Sequence, residues 1–481
     1  MVTKKNLQKI TDYLYEIPQS FREDMRVPAR IYISEKMLDD VFQDKSLEQL
    51  VNMTTFPGIV RYALAMPDIH EGYGFPIGGA AAVKISDGVI SPGGVGYDIN
   101  CGVRVLASEI SYKEAKPHLV NLMDKIFRQV PSGTGKGGEV KLGKEAMNNV
   151  LERGVPWAVE KGFGNSEDIE VCEEEGSMKG AESGCVSDRA KARGRDQLGT
   201  LGAGNHFLEI QKVDKIFDRK IADVFGLFEE QITIMIHCGS RGLGHQVCTD
   251  YIKIMRAGLE KYKIKLPDLE LACLPINSPE SKKYFAAMAA SANFAWANRQ
   301  VITHLVRQSW KKVLGKEAGK LSLIYDVAHN IAKMEKHRLE NKEESLCVHR
   351  KGATRAFGPG RPEIPEKYRD FGQPVIIPGS MGTSSYILAG TDEAMHSTFG
   401  TVCHGAGRVM SRSTAKKKIR GRDLRKKLEE RSLIIRCKSD FGLAEEAPEA
   451  YKDIDNVVNV VNQVGLAKKV ARLKPLGVIK G

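Results

Sequence analysis

Four short strings, GAGNHF, IHCGSRGLGH, DVAHN and CHGAGR, carry five of the eleven histidines of this 481-residue chain, and they are spread from Gly202 to Arg408. A fifth, GYDINCG, adds Asp98 and Cys101 about a hundred residues earlier. Each string is glycine-rich or closes an apolar run, so its metal-competent side chains stand where the backbone can bend around a ligand. Groups so far apart can act together only if the fold gathers them. That requirement predicts one interlaced domain over residues 1–481, with an N-terminal layer over 1–60 and a basic segment over 413–436 inside it. No repeat at a solenoid period and no low-complexity tract argues otherwise.

The composition narrows the setting. There is no run of 18 apolar residues, and the opening MVTKKNLQKI lacks the apolar stretch of a secretory signal. Nine cysteines in no CxxC pair, an odd number, fit a reduced compartment, and a cytoplasmic protein is expected. A net charge of +12 favours a polyanionic partner without separating RNA from DNA or free nucleotide, and 7% aromatic residues argue against recognition dominated by base stacking.

Apolar, β-branched runs mark strands. RVPARIYIS, AAAVKI and VRVLAS read as extended, while ITIMIH (232–237) and LSLIYDVAH (321–329) end in histidine, which predicts that His237 and His329 emerge at strand ends with rigid support behind them. Residues 280–314 read as a structural helix with Ala-rich packing. The polar, glycine-punctuated stretch 162–197 reads as a long surface excursion. Beyond Arg412 a basic span reads as partly helical, with Leu424 and Leu428 on one face.

Asp98, Cys101, His206, His237 and His329 together offer one carboxylate, one thiolate and three imidazoles. Such mixed donors suit two adjacent metals, Mn²⁺ or Zn²⁺, with the thiolate shared. Singly, each is more often a core residue; jointly, in these contexts, they read as a metal site. His404 in CHGAGRVMSR reads equally as a nucleophile toward phosphate, with Arg408 and Arg412 at one-turn spacing on a helix, or as an ordinary loop histidine. GSRGLGH offers Arg241 and backbone N–H groups to an anion, or simply meets turn demands. PSGTGKGG (131–138) lacks the spacing of a Walker A loop. HRKGATRAFGPGRP and PGSMGTSS are loops of the kind that contact phosphates and bases, or surface turns.

Taken in order, MPDIHEGYGFPIGG (66–79), GVGYDINCGVR, GTLGAGNHFLE, IHCGSRGLGH, YDVAHN, HRKGATRAFGPG, PGSMGTSSY, CHGAGR and the penultimate Lys480 resemble the RtcB family of RNA-splicing ligases, of the archaeal and eukaryotic type. The resemblance spans nearly the whole chain. It implies an α+β fold peculiar to the family with a metal-lined central cleft. It also implies a GTP- and Mn²⁺-dependent ligase that joins RNA 2',3'-cyclic phosphate or 3'-phosphate ends to 5'-hydroxyl ends through a histidine–GMP and an RNA-3'-ppG intermediate, in tRNA splicing and RNA repair. Its partners would be tRNA exon halves, broken RNA and GTP, with archease as an auxiliary and no membrane. By matching motifs, Asp98, Cys101 and His206 would hold one metal, Cys101, His237 and His329 the other, and His404 would accept GMP. Asn205, Phe207, Glu209, Ser380, Ser385, Gly405, Ala406, Gly407, Tyr451 and Lys480 would surround the guanylate. Arg241, Lys351, Arg408 and Arg412 would face phosphates. The alternatives are a binuclear metal-dependent phosphodiesterase or nuclease, which needs no guanine pocket, and a non-catalytic RNA-binding protein with structural metals.

Overall fold

Two large sheets divide the work in the computed structural model, which describes residues 2–133, 135, 137–340 and 342–481. Thr134 and Lys136 of the PSGTGKGG string lie outside the described residues. The sheet that carries most of the histidine strings has eight strands. Its path runs Ser322–Ala328, Gly102–Ser111, Gln231–Cys238, Phe207–Ile216, Ala467–Lys480, Ser385–Gly390, Pro374–Ile377, with Ile434–Arg436 pairing in parallel on Ala467–Lys480. The register places Val103 opposite His237, His237 opposite Phe207, and Phe207 opposite Lys480, so residues from four distant segments form one row across the sheet near the ends of its strands. The expected strand ends hold: His237 is the next-to-last residue of its strand, and His329 directly follows Ala328.

A seven-stranded sheet stands beside it, in the order Gln8–Thr11, Leu14–Ile17, Ala29–Tyr32, Ile59–His70, Ile77–Lys84, Lys342–Lys351, Asn330–Leu339. The N-terminal residues therefore form its outer strands. One continuous apolar core runs from Tyr15 to Ile479 and joins both sheets in a mixed α+β architecture.

The helix Pro279–Leu314 passes through this core. Ser278 caps it by accepting the Ser281 N–H, Pro279 fits its first turn, and Gly315 ends it at φ 79°. It is buried on every side from Ala286 to Thr303, as a helix without a polar solvent face must be. Its few polar side chains grip the site. Arg299 donates to the carbonyls of Asn100 (2.9 Å) and Cys238 (2.7 Å) and pairs with Asp326, which also accepts from Arg104 at 2.6 Å. These buried charges tie down the residues flanking Cys101, His237 and His329. Removing one partner would leave the others uncompensated, at roughly 3–5 kcal/mol.

Residues 162–197 form the expected surface excursion only in part. Val171, Cys172, Glu173, Met178 and Ala190 are buried, and Asp168 takes a bidentate pair from Arg307 of the long helix. Glu173 also accepts the Ala328 N–H beside His329 (3.0 Å). Asp168, Glu173 and Glu174 are paired with distant cations, while most of the segment's other charges are exposed. The basic span is helical over Arg412–Lys418 and Gly421–Glu429, with Leu424 and Leu428 buried as expected. Arg408 and Arg412 do not share a helix. Ser411 caps a helix that starts only at Arg412, while Arg408 is held extended in a bridge to Tyr451. Among the described residues, no helix is long and apolar enough to cross a membrane.

Candidate metal centre and active site

Asp98 and Cys101 come from a tight loop whose left-handed residue is Asn100 (φ 51°). The loop closes through Cys101 N–H on the Asp98 carbonyl (2.9 Å), and the Cys101 carbonyl accepts the His329 N–H at 2.7 Å. Asp98 lies so close to Gly239 that a Cβ there would stand 2.3 Å from the carboxylate oxygens, which explains the glycine after His237-Cys238. The sulfur of Cys101 is 3.2 Å from His237 Nε2 and 3.5 Å from His206 Nε2, and His206 Nε2 is 2.8 Å from Asp98 Oδ2. The ligand atoms of Asp98, Cys101 and His206 all lie within 4.8 Å of one another. The rings of His237 and His329 follow at 5.6 Å. The five residues chosen from sequence are therefore in one cluster, with Cys101 at its middle.

The donor chemistry fits divalent cations. Burial, reinforced by neighbouring His206 for one and His404 for the other, pushes His237 and His329 well below the usual imidazole range, so both rings are neutral. His329 Nδ1 contacts Thr354 Oγ1 at 2.9 Å, and among the described residues its buried Nε2 has no partner, nor has His237 Nδ1. Orphaned buried nitrogens are rare unless something else uses them. Burial opposes ionisation of Asp98, but His206 and Arg241 outweigh it and bring the carboxyl to about 2. Burial and the Asp98 charge push the Cys101 thiol to about 11, so a cation is what would draw off its proton.

His404 stands next in the row of rings, 5.3 Å from His329. Its Nδ1 lies 2.6 Å from Asp68 Oδ2, and a carboxylate can only accept, so Nδ1 carries a proton and, in the neutral ring, Nε2 is the nitrogen that bears the lone pair. The same oxygen accepts the His404 N–H at 2.9 Å and the Gly405 N–H at 3.3 Å. The chain wraps Asp68 so closely that a Cβ on Gly407, at φ 75°, would meet the Asp68 carbonyl at 2.2 Å. In the sequence Asp68 carries no mark of this role beyond being a carboxylate in MPDIHEG. Asp68→Asn removes the charge that holds this tautomer while preserving size. Reaction at His404 should slow by roughly a hundredfold, read as the rate of covalent nucleotide labelling.

A cavity of about 670 Å³ opens from His237 and His404 toward the C-terminus. Asn205, Phe207, Glu209, Ser380 and Met381 form part of its wall. Gly405, Ala406, Gly407, Tyr451 and Lys480 form another part. Ser385 stands behind the wall, its Oγ accepting from Gln211 Nε2 (3.2 Å) and the Gly379 N–H (3.1 Å). Burial raises Glu209 to about 7 against the pull of Gln211 and Lys480. Glu446, which sequence reasoning missed, binds the far end together. It accepts from Tyr451 Oη (2.6 Å) and Lys480 Nζ (3.2 Å), while Arg408 donates to Tyr451 Oη at 2.8 Å.

The four expected phosphate-facing cations differ. Arg408 and the exposed Arg412 line the cavity. Arg241 begins the helix Arg241–Gly258 in left-handed conformation (φ 56°), with Nη1 3.1 Å from His206 Nδ1. Lys351 is buried and donates to the carbonyls of Tyr73 and Gly93.

Residues 49–481 match the family model described as tRNA-splicing ligase RtcB. The chain is 56% identical over 477 residues to the tRNA-splicing ligase RtcB of Archaeoglobus fulgidus, covering 99% of each. It is 51% identical over 483 residues to that of Thermococcus kodakarensis, covering 100% of this chain and 99% of the relative. With that of Pyrobaculum aerophilum it shares 53% identity over 479 residues, 99% of each.

Proposed function

This chain belongs to the RtcB family, and from that premise we propose that it is an RNA ligase joining 2',3'-cyclic phosphate or 3'-phosphate RNA ends to 5'-hydroxyl ends with GTP and Mn²⁺, in tRNA splicing and RNA repair. The observation that carries this reading is the Asp68–His404 pair, set where the nucleotide-sized cavity meets the Cys101 cluster. A carboxylate-oriented histidine could also serve a hydrolase as a general base; the match of residues 49–481 to tRNA-splicing ligases is what favours a nucleophile here.

The residues divide the chemistry as follows. Divalent cations held by Asp98, Cys101 and His206, and by Cys101, His237 and His329, would supply Lewis-acid charge at phosphate oxygens. Glu209 and Lys480 at the cavity wall offer an acceptor and a donor to a guanine edge, and Tyr451 offers it a face. His404 Nε2 forms a bond to the α-phosphorus of GTP as the bond to the bridging oxygen breaks and pyrophosphate leaves. Asp68 holds the Nδ1 proton throughout and stabilises the charge that develops on the ring. A 2',3'-cyclic end is first opened by one water to the 3'-phosphate and a free 2'-hydroxyl, and an oxygen of the RNA 3'-phosphate then displaces His404 from phosphorus, giving an RNA-3'-ppG end. The 5'-hydroxyl attacks the RNA phosphorus of that end, the phosphodiester forms and GMP departs.

The test is direct. Incubation with Mn²⁺ and GTP labelled in the α-phosphate should give an acid-labile, alkali-stable protein adduct, and two RNA fragments with the defined ends should then be joined. Release of nucleoside phosphates without joining would favour the phosphodiesterase. Binding of RNA with no chemistry would favour the non-catalytic reading.

The exposed Lys417, Lys418, Arg420 and Arg422 support a contact with the RNA backbone. Neutralising all four should weaken RNA binding and flatten its dependence on salt, because each phosphate contact releases a counterion. An unchanged slope of log affinity against log salt would reduce the span to a solvated helix face.

A further inference from the structure

The metal cluster is open on a second side that the nucleotide cavity does not account for. The cavity wall includes His237 and His404 but not Asp98, whose side chain is nevertheless 30% exposed. Next to Asp98 in the chain begins a group of three aromatic rings. Tyr97, the residue before Asp98, lies 4.8 Å from the His245 ring at an interplanar angle of 29°, a stacked pair. On its other flank the Tyr73 ring meets it edge-on at 5.3 Å. His245 is exposed and the two tyrosines are half-buried, so the outermost ring presents an uncovered surface.

Considerable structure goes into holding this ladder. Lys351 donates to the carbonyls of both Tyr73 and Gly93, thereby tying the Tyr73 turn to the loop that leads into Tyr97 and Asp98. Its stem runs beneath Gly96, where a Cβ would stand 3.3 Å from Lys351 Cε. Arg256 Nη2 donates to Tyr73 Oη at 2.8 Å from the same helix that bears His245. The ladder is ringed by cations: Arg241 beside the cluster, Arg256 at the Tyr73 end, and the exposed Arg193, whose charge acts with partial burial to keep His245 below its usual pKa and hence neutral. His245 lies in the string IHCGSRGLGH, and neither the metal cluster nor the nucleotide cavity uses it.

We propose that Tyr73, Tyr97 and His245 form a stacking platform for one unpaired nucleobase of the RNA next to the ends being joined. The proposal rests on the ligase reading, which needs a route for RNA that the nucleotide does not block. Stacked rings accept any base face, and the surrounding guanidinium groups suit the phosphates on either side of it. Either strand could supply the base, the one ending in 3'-phosphate or the one beginning with 5'-hydroxyl.

The test uses the full-length, Mn²⁺-loaded protein and two RNAs, each with the fluorescent base 2-aminopurine at its terminal nucleotide, one carrying a 3'-phosphate and the other a 5'-hydroxyl. Stacking should quench one of the two on binding, which identifies the strand. His245→Ala should lose that quench and weaken binding of the same strand about tenfold, in line with measured base–aromatic contacts. His245→Phe should restore both, and Tyr97→Leu should behave as His245→Ala. Labelling of His245→Ala by GTP in the absence of RNA should match the wild type. Unchanged quench and affinity in His245→Ala and Tyr97→Leu, with a wild-type chain that labels and joins, would overturn the platform. Failure of the wild type to label at all would instead sink the ligase reading, and the platform with it.

Discussion

His404→Ala is expected to abolish covalent labelling by GTP while leaving the divalent metal content of the protein unchanged. The two halves of this expectation come from different distances. His404 touches Asp68 at 2.6 Å, whereas its contact with the metal cluster is only a ring neighbour, His329, at 5.3 Å between centroids. The sulfur and imidazole nitrogens proposed as ligands are contributed by other strands and have no need of it. The fold should also survive, because Asp68 Oδ2 keeps the two backbone donors, His404 N–H and Gly405 N–H, after the ring is gone. A folded, metal-replete variant with no label is therefore the predicted result, measured by incorporation of α-phosphate label beside elemental analysis of the same sample. Joining activity should fall to background with it, since the other imidazoles of the cavity wall, His70 and His237, have their rings hydrogen-bonded to a backbone carbonyl and to a sulfur and not to a carboxylate. Label that persists in this variant would move the nucleophile elsewhere. Asp68→Asn should fall between the two, slow but not dead.

What could be read from the residues alone follows a physical divide. ITIMIH and LSLIYDVAH are long β-branched runs whose local pattern suffices to make strands, so His237 and His329 are found at strand ends as expected. The helix over 279–314 is equally local in origin, with a capping serine, a first-turn proline and a terminal glycine. Asp68 was not legible in this way. Its importance comes from a partner 336 residues away, and nothing in MPDIHEG distinguishes a carboxylate that orients an imidazole from one that ends a strand. The buried part of the stretch 162–197 was hidden for the same reason. Asp168 reads as a surface charge until Arg307, 139 residues further on, supplies the bidentate partner that lets it be buried. Ser385 depends on a subtler variable, the face of its strand: its hydroxyl turns to Gln211 and Gly379, and Ser380 of the adjoining loop lines the cavity instead. Long-range pairing and strand parity, then, mark where sequence reasoning ran out, while local periodicity and glycine placement marked where it worked.

Cys101→Ala should remove both metal ions at once, the largest change in metal content expected from any single substitution. The prediction follows from the position of one sulfur. Cys101 Sγ lies 3.5 Å from His206 Nε2 on the Asp98 side and 3.2 Å from His237 Nε2 on the His329 side, so its ligand atom stands beside an imidazole nitrogen of each group of donors. His329→Ala, by contrast, takes one nitrogen from one group and should cost a single ion. Loss of the sulfur should not unfold the loop. The Cys101 N–H still reaches the Asp98 carbonyl, the Cys101 carbonyl still receives the His329 N–H, and Arg299 still holds Asn100 and Cys238 from below. The variant's melting temperature in chelator should therefore stay within a few degrees of the chelated wild type, because deleting one buried sulfur costs on the order of 1 kcal/mol. After loading with Mn²⁺ and removal of free ion, the wild type should retain two equivalents and the variant close to none. A single equivalent retained by Cys101→Ala would show that the thiolate serves one ion only, and the two-ion arrangement would have to be rebuilt around Asp98 and the three imidazoles.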